Sequence, residues 1–287
     1  MADVKVGAGR RALRSAASAM LLATVANVLL IEAGWAPTTP TPLQTMAVQA
    51  LALFSYMALG PIIHQNPAYH QFADARTLPL CCSVGVPNAA DVLSNALFLV
   101  FGLEGLGALQ SLPLQYSIEY EAWRLLFIAA TLVAFGSAYY HWRPTSKRLV
   151  WDRLPMSIGF ASVIFIVMAE RCPDWISAAV LYTIVLVSMA TTIFWAWTDD
   201  LRPYLVVQYY GIVFVVQVLL LFESRYTHSG YWFCILGCYV VAKVFEALDR
   251  SVFSMTRHNI SGHTVKHLVA SFVFRLATAY LQNRQLK

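Results

Sequence analysis

The chain is 287 residues long, 59% hydrophobic and only 12% charged, against roughly 25% charged residues in soluble domains. That balance excludes an ordinary soluble enzyme and describes an integral, multi-pass membrane protein. The formal net charge of +5 is modest and spread through short loops, with no basic patch interleaved with aromatics, which argues for orientation in a bilayer and against a nucleic-acid partner.

In chain order, a weak apolar stretch from Ser15 to Ile31 follows Lys5, Arg10, Arg11 and Arg14. It reads either as a membrane helix or as a signal-anchor or uncleaved targeting sequence. The run PTTPTP (Pro37 to Pro42) reads as an exposed loop, and Leu43 to Ile63 as a membrane helix. His64 to Pro87 is polar and interrupted by prolines, too broken to span, and reads as a lid or interfacial segment.

Seven stretches near the length that crosses ~30 Å of hydrocarbon follow. They run from Ala89 to Ala108, Trp123 to His141, Val150 to Ala169, Ile176 to Trp197, Tyr204 to Phe222, Tyr231 to Leu248 and His263 to Leu281. Trp123, Trp142, Trp151, Trp175, Trp195, Trp197 and Trp232 fall near the ends of these stretches, where indoles favour the headgroup layer. The expected fold is all-α: a polytopic membrane protein with a seven-transmembrane-helix core and one or two extra N-terminal hydrophobic helices. The expected organisation is an N-terminal extension over 1–87 and a catalytic core over 88–287. The cysteines Cys81, Cys82, Cys172, Cys234 and Cys238 have neither disulfide-framework nor zinc-knuckle spacing.

Polar residues gather where these apolar segments begin and end. With alternating topology, the end of the second core helix (His141), the start of the third (Asp152) and the start of the seventh (His263, His267) share one side of the membrane. Ser137 precedes His141 by four residues and His267 follows His263 by four, so each pair projects from one helix face. Three imidazoles can fill three of the four positions of a catalytic zinc and leave the last to water. Taken singly, each has a simpler reading: histidines at the interface snorkel to water, Asp152 caps a helix and Ser137 packs. Their convergence favours a metal-dependent hydrolase within the bilayer, because unpartnered polar groups in hydrocarbon cost several kcal/mol each.

The motifs SxxxH (Ser137, His141), Asp152 at the next helix start and HxxxH (His263, His267) resemble the alkaline ceramidase family. That family belongs to a superfamily of seven-helix membrane hydrolases that also includes the progestin and adiponectin receptors and GPI-remodelling lipases. The stretches NAADVLSNALFLVFGLEGL (Asn88 to Leu106) and GSAYYHWRPTSKRLVWDRLPM (Gly136 to Met156) are similar to its first three core helices. FGSAYYH, WDRLPM, DLRPY, LDR and SGHTVKH look closest to the bacterial-type branch labelled ceramidase or alkaline phytoceramidase. The resemblance implies zinc (Zn2+) held by His141, His263 and His267, with Ser137 and Asp152 beside it, and hydrolysis of a ceramide or phytoceramide amide to a sphingoid base and a fatty acid. Animal members carry an acidic calcium site before the first core helix. This chain offers only Asp74, Asn88 and Asp91 in a different spacing, which leaves calcium doubtful.

Under this reading Asp152 is the proton-transfer group and Ser137 a hydrogen-bond donor to the water or the oxyanion. Asp249 can orient a ligand histidine or pair with Arg250 or Arg153. Asp91, Ser94 and Asn95 are outer contacts of the site or, equally, capping and packing residues. Lys243 and Glu246 read as a structural pair, and Glu104 with Arg275 as an internal ion pair. His64, His70, His228 and His258 read as loop residues. The expected partners are a ceramide-like membrane lipid and the bilayer, with no obligate protein partner. The expected location is the endoplasmic reticulum or Golgi membrane of a eukaryote or the cell membrane of a bacterium. Lys and Arg outnumber on the metal side, which by charge alone faces the cytoplasm, whereas alkaline ceramidases are described in the opposite sense, so orientation stays open. The alternatives are a lipid-sensing receptor of the same fold, a zinc hydrolase of acyl lipid esters, and a retinal-type photoreceptor. The last needs a lysine deep in the final helix, whereas Lys266 lies in its first turn.

Overall fold

The computed structural model describes residues 60–79, 85–112 and 117–287. The stretch Ser15 to Ile31, nearly all of Leu43 to Ile63, the PTTPTP run, Cys81 and Cys82 lie outside the described residues. Helices dominate the rest: α1 (Ala89–Leu93), α2 (Ala96–Gln110), α3 (Ile118–Trp142), α4 (Ser146–Arg171), α5 (Ala178–Thr198), α6 (Arg202–Leu205), α7 (Gly211–Leu221), α8 (Tyr231–Ala247), α9 (Asp249–Met255) and α10 (Gly262–Asn283). A π-helical turn, Val206–Tyr210, joins α6 to α7. The strands are β1 (Leu78–Pro79) and β2 (Gly85–Val86), a short antiparallel pair.

The chain is a multi-pass membrane protein. Five spans are long and apolar enough to cross a bilayer: α1 with α2, α3, α4, α5, and α6 through α7. Together α8 and α9, bent by 77° between them, make a sixth if the pair forms one broken span rather than a re-entrant loop. The seventh expected span, α10, has the length at 22 residues, but it carries His263, Lys266, His267 and Arg275 and falls short in apolarity. Five to six apolar spans, rather than seven, are therefore found among the described residues. Leu132, Phe135, Leu186, Phe194 and Leu220 are exposed on the outside of the bundle, as hydrocarbon-facing residues must be.

Helix starts follow from hydroxyl caps. Ser117, Thr145, Ser177 and Ser261 each accept a hydrogen bond from the backbone N–H three residues on, which satisfies one of the donors a helix N-terminus leaves free. Trp123, Phe127, Phe165, Ile166, Trp232 and Tyr280 fill the core between α3, α4, α8 and α10.

The approach of α3 to α4 comes from two residues with special backbones. Pro155 lies inside α4 and has no N–H, so the carbonyl four residues earlier, that of Trp151, loses its helical donor. That carbonyl sits against Gly136 of α3, where any Cβ would collide with it. Gly136 thus sets how near Ser137 can come to Asp152.

At the end of the bundle where α3 begins, a buried ion network joins four helices. Arg284 Nη1 lies 2.6 Å from Glu119 and 3.0 Å from Glu170. Glu170 also accepts from Trp232 Nε1 at 2.9 Å and pairs with Arg171. Arg225 and Tyr226 close around Glu119 at 3.2 and 3.0 Å.

Residues 60–79 run across the opposite end as a strap. Arg202 donates to the Gly60 carbonyl at 2.6 Å, and the Leu201 N–H to that of Ile63 at 2.8 Å. His64 meets Asp199 at 3.0 Å. In the 3-10 turn Pro67–His70, His70 Nδ1 meets Tyr140 Oη at 2.9 Å and its Nε2 meets Ser146 Oγ at 3.0 Å. The Ala73 N–H donates to Asp249 at 2.9 Å. Arg76 binds Asp74 and donates to the Asn259 carbonyl at 2.7 Å.

Burial, and then the positive field of Arg153, holds the His70 imidazole below its ordinary 6.5. Burial alone would raise Asp74, but hydrogen bonds from Arg76 and its charge outweigh that and hold the carboxyl below 3.8. Both shifts stabilise the strap at higher pH and lose that effect in acid. The His70 contribution is present above 6.5 and fades as pH falls below it; that of Asp74 fades below 3.8.

Two outcomes follow from these two ends. Arg284→Met leaves two buried carboxylates without their shared cation and should cost about 3–5 kcal/mol, read from unfolding in detergent; a loss under about 1 kcal/mol would deny the network a structural role. Lowering the pH through the His70 window should reduce the hydrogen-exchange protection of the Ala73 amide, after correction for intrinsic rates, and His70→Gln should flatten that dependence.

Candidate metal centre

His141 ends α3, and His263 and His267 lie one turn apart at the start of α10. All three are buried, and their ligating nitrogens lie within 4.8 Å of one another. Ring centroids are 4.8 Å apart for His141 with either partner and 4.9 Å for His263 with His267. Among the described residues this is the one grouping of three His, Cys, Asp or Glu side chains able to hold a metal ion.

The donor set fits a cation by its own unmet demands. Both nitrogens of His141 and Nε2 of His267 are buried without a hydrogen-bond partner, an arrangement that costs about 1–3 kcal/mol per group. A divalent cation bound by neutral imidazoles would satisfy one nitrogen of His141 together with Nε2 of His267. Donor atoms of a tetrahedral site with ~2.0–2.1 Å bonds stand about 3.3 Å apart, so the trio is slightly open and small ring rotations would close it.

The tautomer of His267 follows from Ser94. The Ser94 hydroxyl gives its single proton to the Asp91 carbonyl at 3.1 Å, so across the 2.8 Å contact with His267 it accepts from Nδ1–H. Nε2 of His267 then presents its lone pair toward the other imidazoles, as a ligating histidine requires.

The surrounding residues fix the first turn of α10. Asp249 accepts from the His263 backbone N–H at 2.8 Å, so it holds the helix start that carries the ring rather than the ring itself; it pairs with neither Arg250 nor Arg153. Asp91 accepts from Thr264 Oγ1 at 2.7 Å and Ser261 Oγ at 3.4 Å. Asn95 donates to the Asp91 carbonyl at 2.7 Å. The Asn88 amide donates to the His141 carbonyl at 2.8 Å. Asp74, Asn88 and Asp91 therefore each serve a different partner. Ser137 and Asp152 lie on the two helices that Gly136 lets approach, and both line one cavity beside the imidazoles.

Three neighbours carried no motif in the sequence. Phe72 of the strap packs against His141 and His263, ring centroids 4.6 and 4.5 Å away. Lys266 Nζ lies 2.8 Å from His263 Nε2 and 3.4 Å from Glu246. Glu246 also pairs with Lys243, as the three-residue spacing suggested, and Glu104 pairs with Arg275 at 3.2 Å. His70, expected as a plain loop residue, bridges α3 and α4. A cation-rich residue inside HxxxH was the available signal for Lys266; Phe72 had none.

A cavity of about 1300 Å³ opens beside the centre, above the roughly 300–1,000 Å³ of small-molecule pockets. His267, Ser137 and Asp152 line its polar end, and Leu126, Val215 and Ile235 line it deeper in the bundle. Leu126 is eleven residues before Ser137 on α3, about 16 Å along the axis. Comparison with family models and with curated proteins finds no match to this chain.

Lys266 places a positive charge against a nitrogen that a cation would need, and repulsion between charges at such range is large. Lys266→Met should therefore tighten divalent-metal binding by about tenfold or more, measured by competition with a chelator; unchanged or weaker binding would remove Lys266 as a competitor.

Proposed function

We propose that this protein is a zinc-dependent hydrolase of the membrane interior that cleaves the amide bond of a ceramide-type lipid into a sphingoid base and a fatty acid. The observation that carries the reading is a group of three buried imidazoles, two of them with unpartnered nitrogens, beside Ser137 and Asp152 at the polar end of a long apolar cavity. Zinc bound by His141, His263 and His267 would polarise the acyl carbonyl and acidify water.

The chain's own residues supply the rest. Asp152, at the cavity wall, takes the proton of the attacking water on its carboxylate and returns it to the amine nitrogen as the C–N bond breaks. Ser137, on the same cavity wall, offers its hydroxyl to the oxygen that gains charge. The deep apolar wall accepts the acyl and sphingoid tails, which sets the amide at the depth of the imidazoles. Buried behind Phe72 and the strap, these groups face little competing water, and their electrostatic effect is stronger for it.

The motif resemblance to alkaline ceramidases supports the same substrate class and the same five residues. Asp152→Asn should keep the bound metal but lower turnover of ceramide or phytoceramide by about 10²–10⁴-fold, with metal measured on the same preparation. Undiminished hydrolysis would assign proton transfer to another group. No release of fatty acid from ceramide, phytoceramide, phosphorylated ceramide or a phospholipid by metal-loaded protein would refute the hydrolase reading itself.

A further inference from the structure

Arg153 follows Asp152 on α4 and is the one buried cation of the site region left without a carboxylate. It is 7% exposed and lines the cavity. Its guanidinium lies over the rings of Trp195 at 4.2 Å, Tyr204 at 4.8 Å and Tyr69 at 5.6 Å. Its Nη1 is buried with no hydrogen-bond partner, and among the described residues no acidic side chain stands within ion-pair distance of it. Among the described residues the other little-exposed arginines have carboxylate partners: Arg171 and Arg284 pair with Glu170, and Arg202 with Asp200. Lys243 and Lys266, the other cations on the cavity wall, share Glu246.

The three aromatic faces hold the guanidinium and screen it from water, but rings accept none of its five in-plane donors. A planar fork of donors in a low-dielectric pocket matches the oxygens of a phosphate or carboxylate. One residue step turns about 100° around a helix, so Arg153 faces α5 and α6 while Asp152 faces Ser137. An anion at Arg153 would therefore belong to a part of the lipid other than the bond being cut.

We infer that Arg153 is the seat of an oxyanion on the lipid headgroup, so that the preferred substrate is an N-acylated sphingoid lipid carrying a phosphate or carboxylate rather than a neutral ceramide. This rests on the reading of the cavity as the lipid site, and the binding test is made independent of the reaction. Protein purified whole in detergent and treated with chelator is offered phosphorylated ceramide, plain ceramide, palmitate and hexadecanol. Phosphorylated ceramide should bind at least about tenfold more tightly than ceramide. That gain should vanish in Arg153→Met and persist only in part in Arg153→Lys. Binding of plain ceramide by both variants reports that the cavity is still folded, and the wild-type comparison needs no variant.

Equal binding of the two ceramides, or a gain that survives in Arg153→Met, overturns the inference. So does an Arg153-dependent preference for palmitate over hexadecanol without one for phosphorylated ceramide, which would make this a seat for a released fatty acid. If the headgroup preference holds while metal-loaded protein hydrolyses none of these lipids, the hydrolase reading fails and the anion seat stands.

Discussion

Polar groups withdrawn from water inside an apolar bundle must find partners, and this constraint governs the whole molecule. At the end where α3 begins, the buried charges are paired within the chain. Glu119, Glu170, Arg171, Arg225 and Arg284 neutralise one another, with Trp232 and Tyr226 as additional donors. At the other end His141 and His267 keep nitrogens with nothing to bond, and Arg153 has no acidic side chain within ion-pair distance among the described residues. The difference separates a structural end from a receptive one. A charge network closed on itself holds helices together, whereas buried groups with open valences are satisfied by what binds.

Backbone chemistry brings the receptive groups into register. Pro155 frees the Trp151 carbonyl and Gly136 admits it, so α3 and α4 approach beside Ser137 and Asp152. The hydroxyl cap of Ser261 and the carboxylates of Asp91 and Asp249 fix the first turn of α10, so that two imidazoles four residues apart face the end of α3. Negative charge at a helix N-terminus is favourable in itself. Here it also fixes the helical turn that carries the rings.

Much of this was readable beforehand because it depends on order along the chain and on helical period. Apolar stretches marked the helices to within a few residues, and alternating topology placed His141, Asp152, His263 and His267 at one end. The i, i+4 spacing put each pair on one face. What stayed hidden depends on partners distant in sequence. The Asp249 carboxylate was expected to orient a histidine ring, yet it binds the backbone of that residue, since only the three-dimensional path of α8 into α9 shows which atom it meets. Arg153 looked like an ordinary basic residue at a helix start; its isolation emerges only when Trp195, Tyr204 and Tyr69 are seen around it. The polarity of α10 was visible in its histidines and Lys266, but length and an apolar tail still read as a seventh span.

The strap over 60–79 precedes every helix that carries the ligating imidazoles, Ser137 and Asp152, and yet belongs with them. Phe72 covers two of the rings, Ala73 shares Asp249 with His263, and Tyr69 forms one wall around Arg153. A recombinant product trimmed to begin at residue 88 would thus retain all of the reactive side chains while uncovering them to bulk solvent, so the smallest fragment worth expressing starts upstream of Gly60.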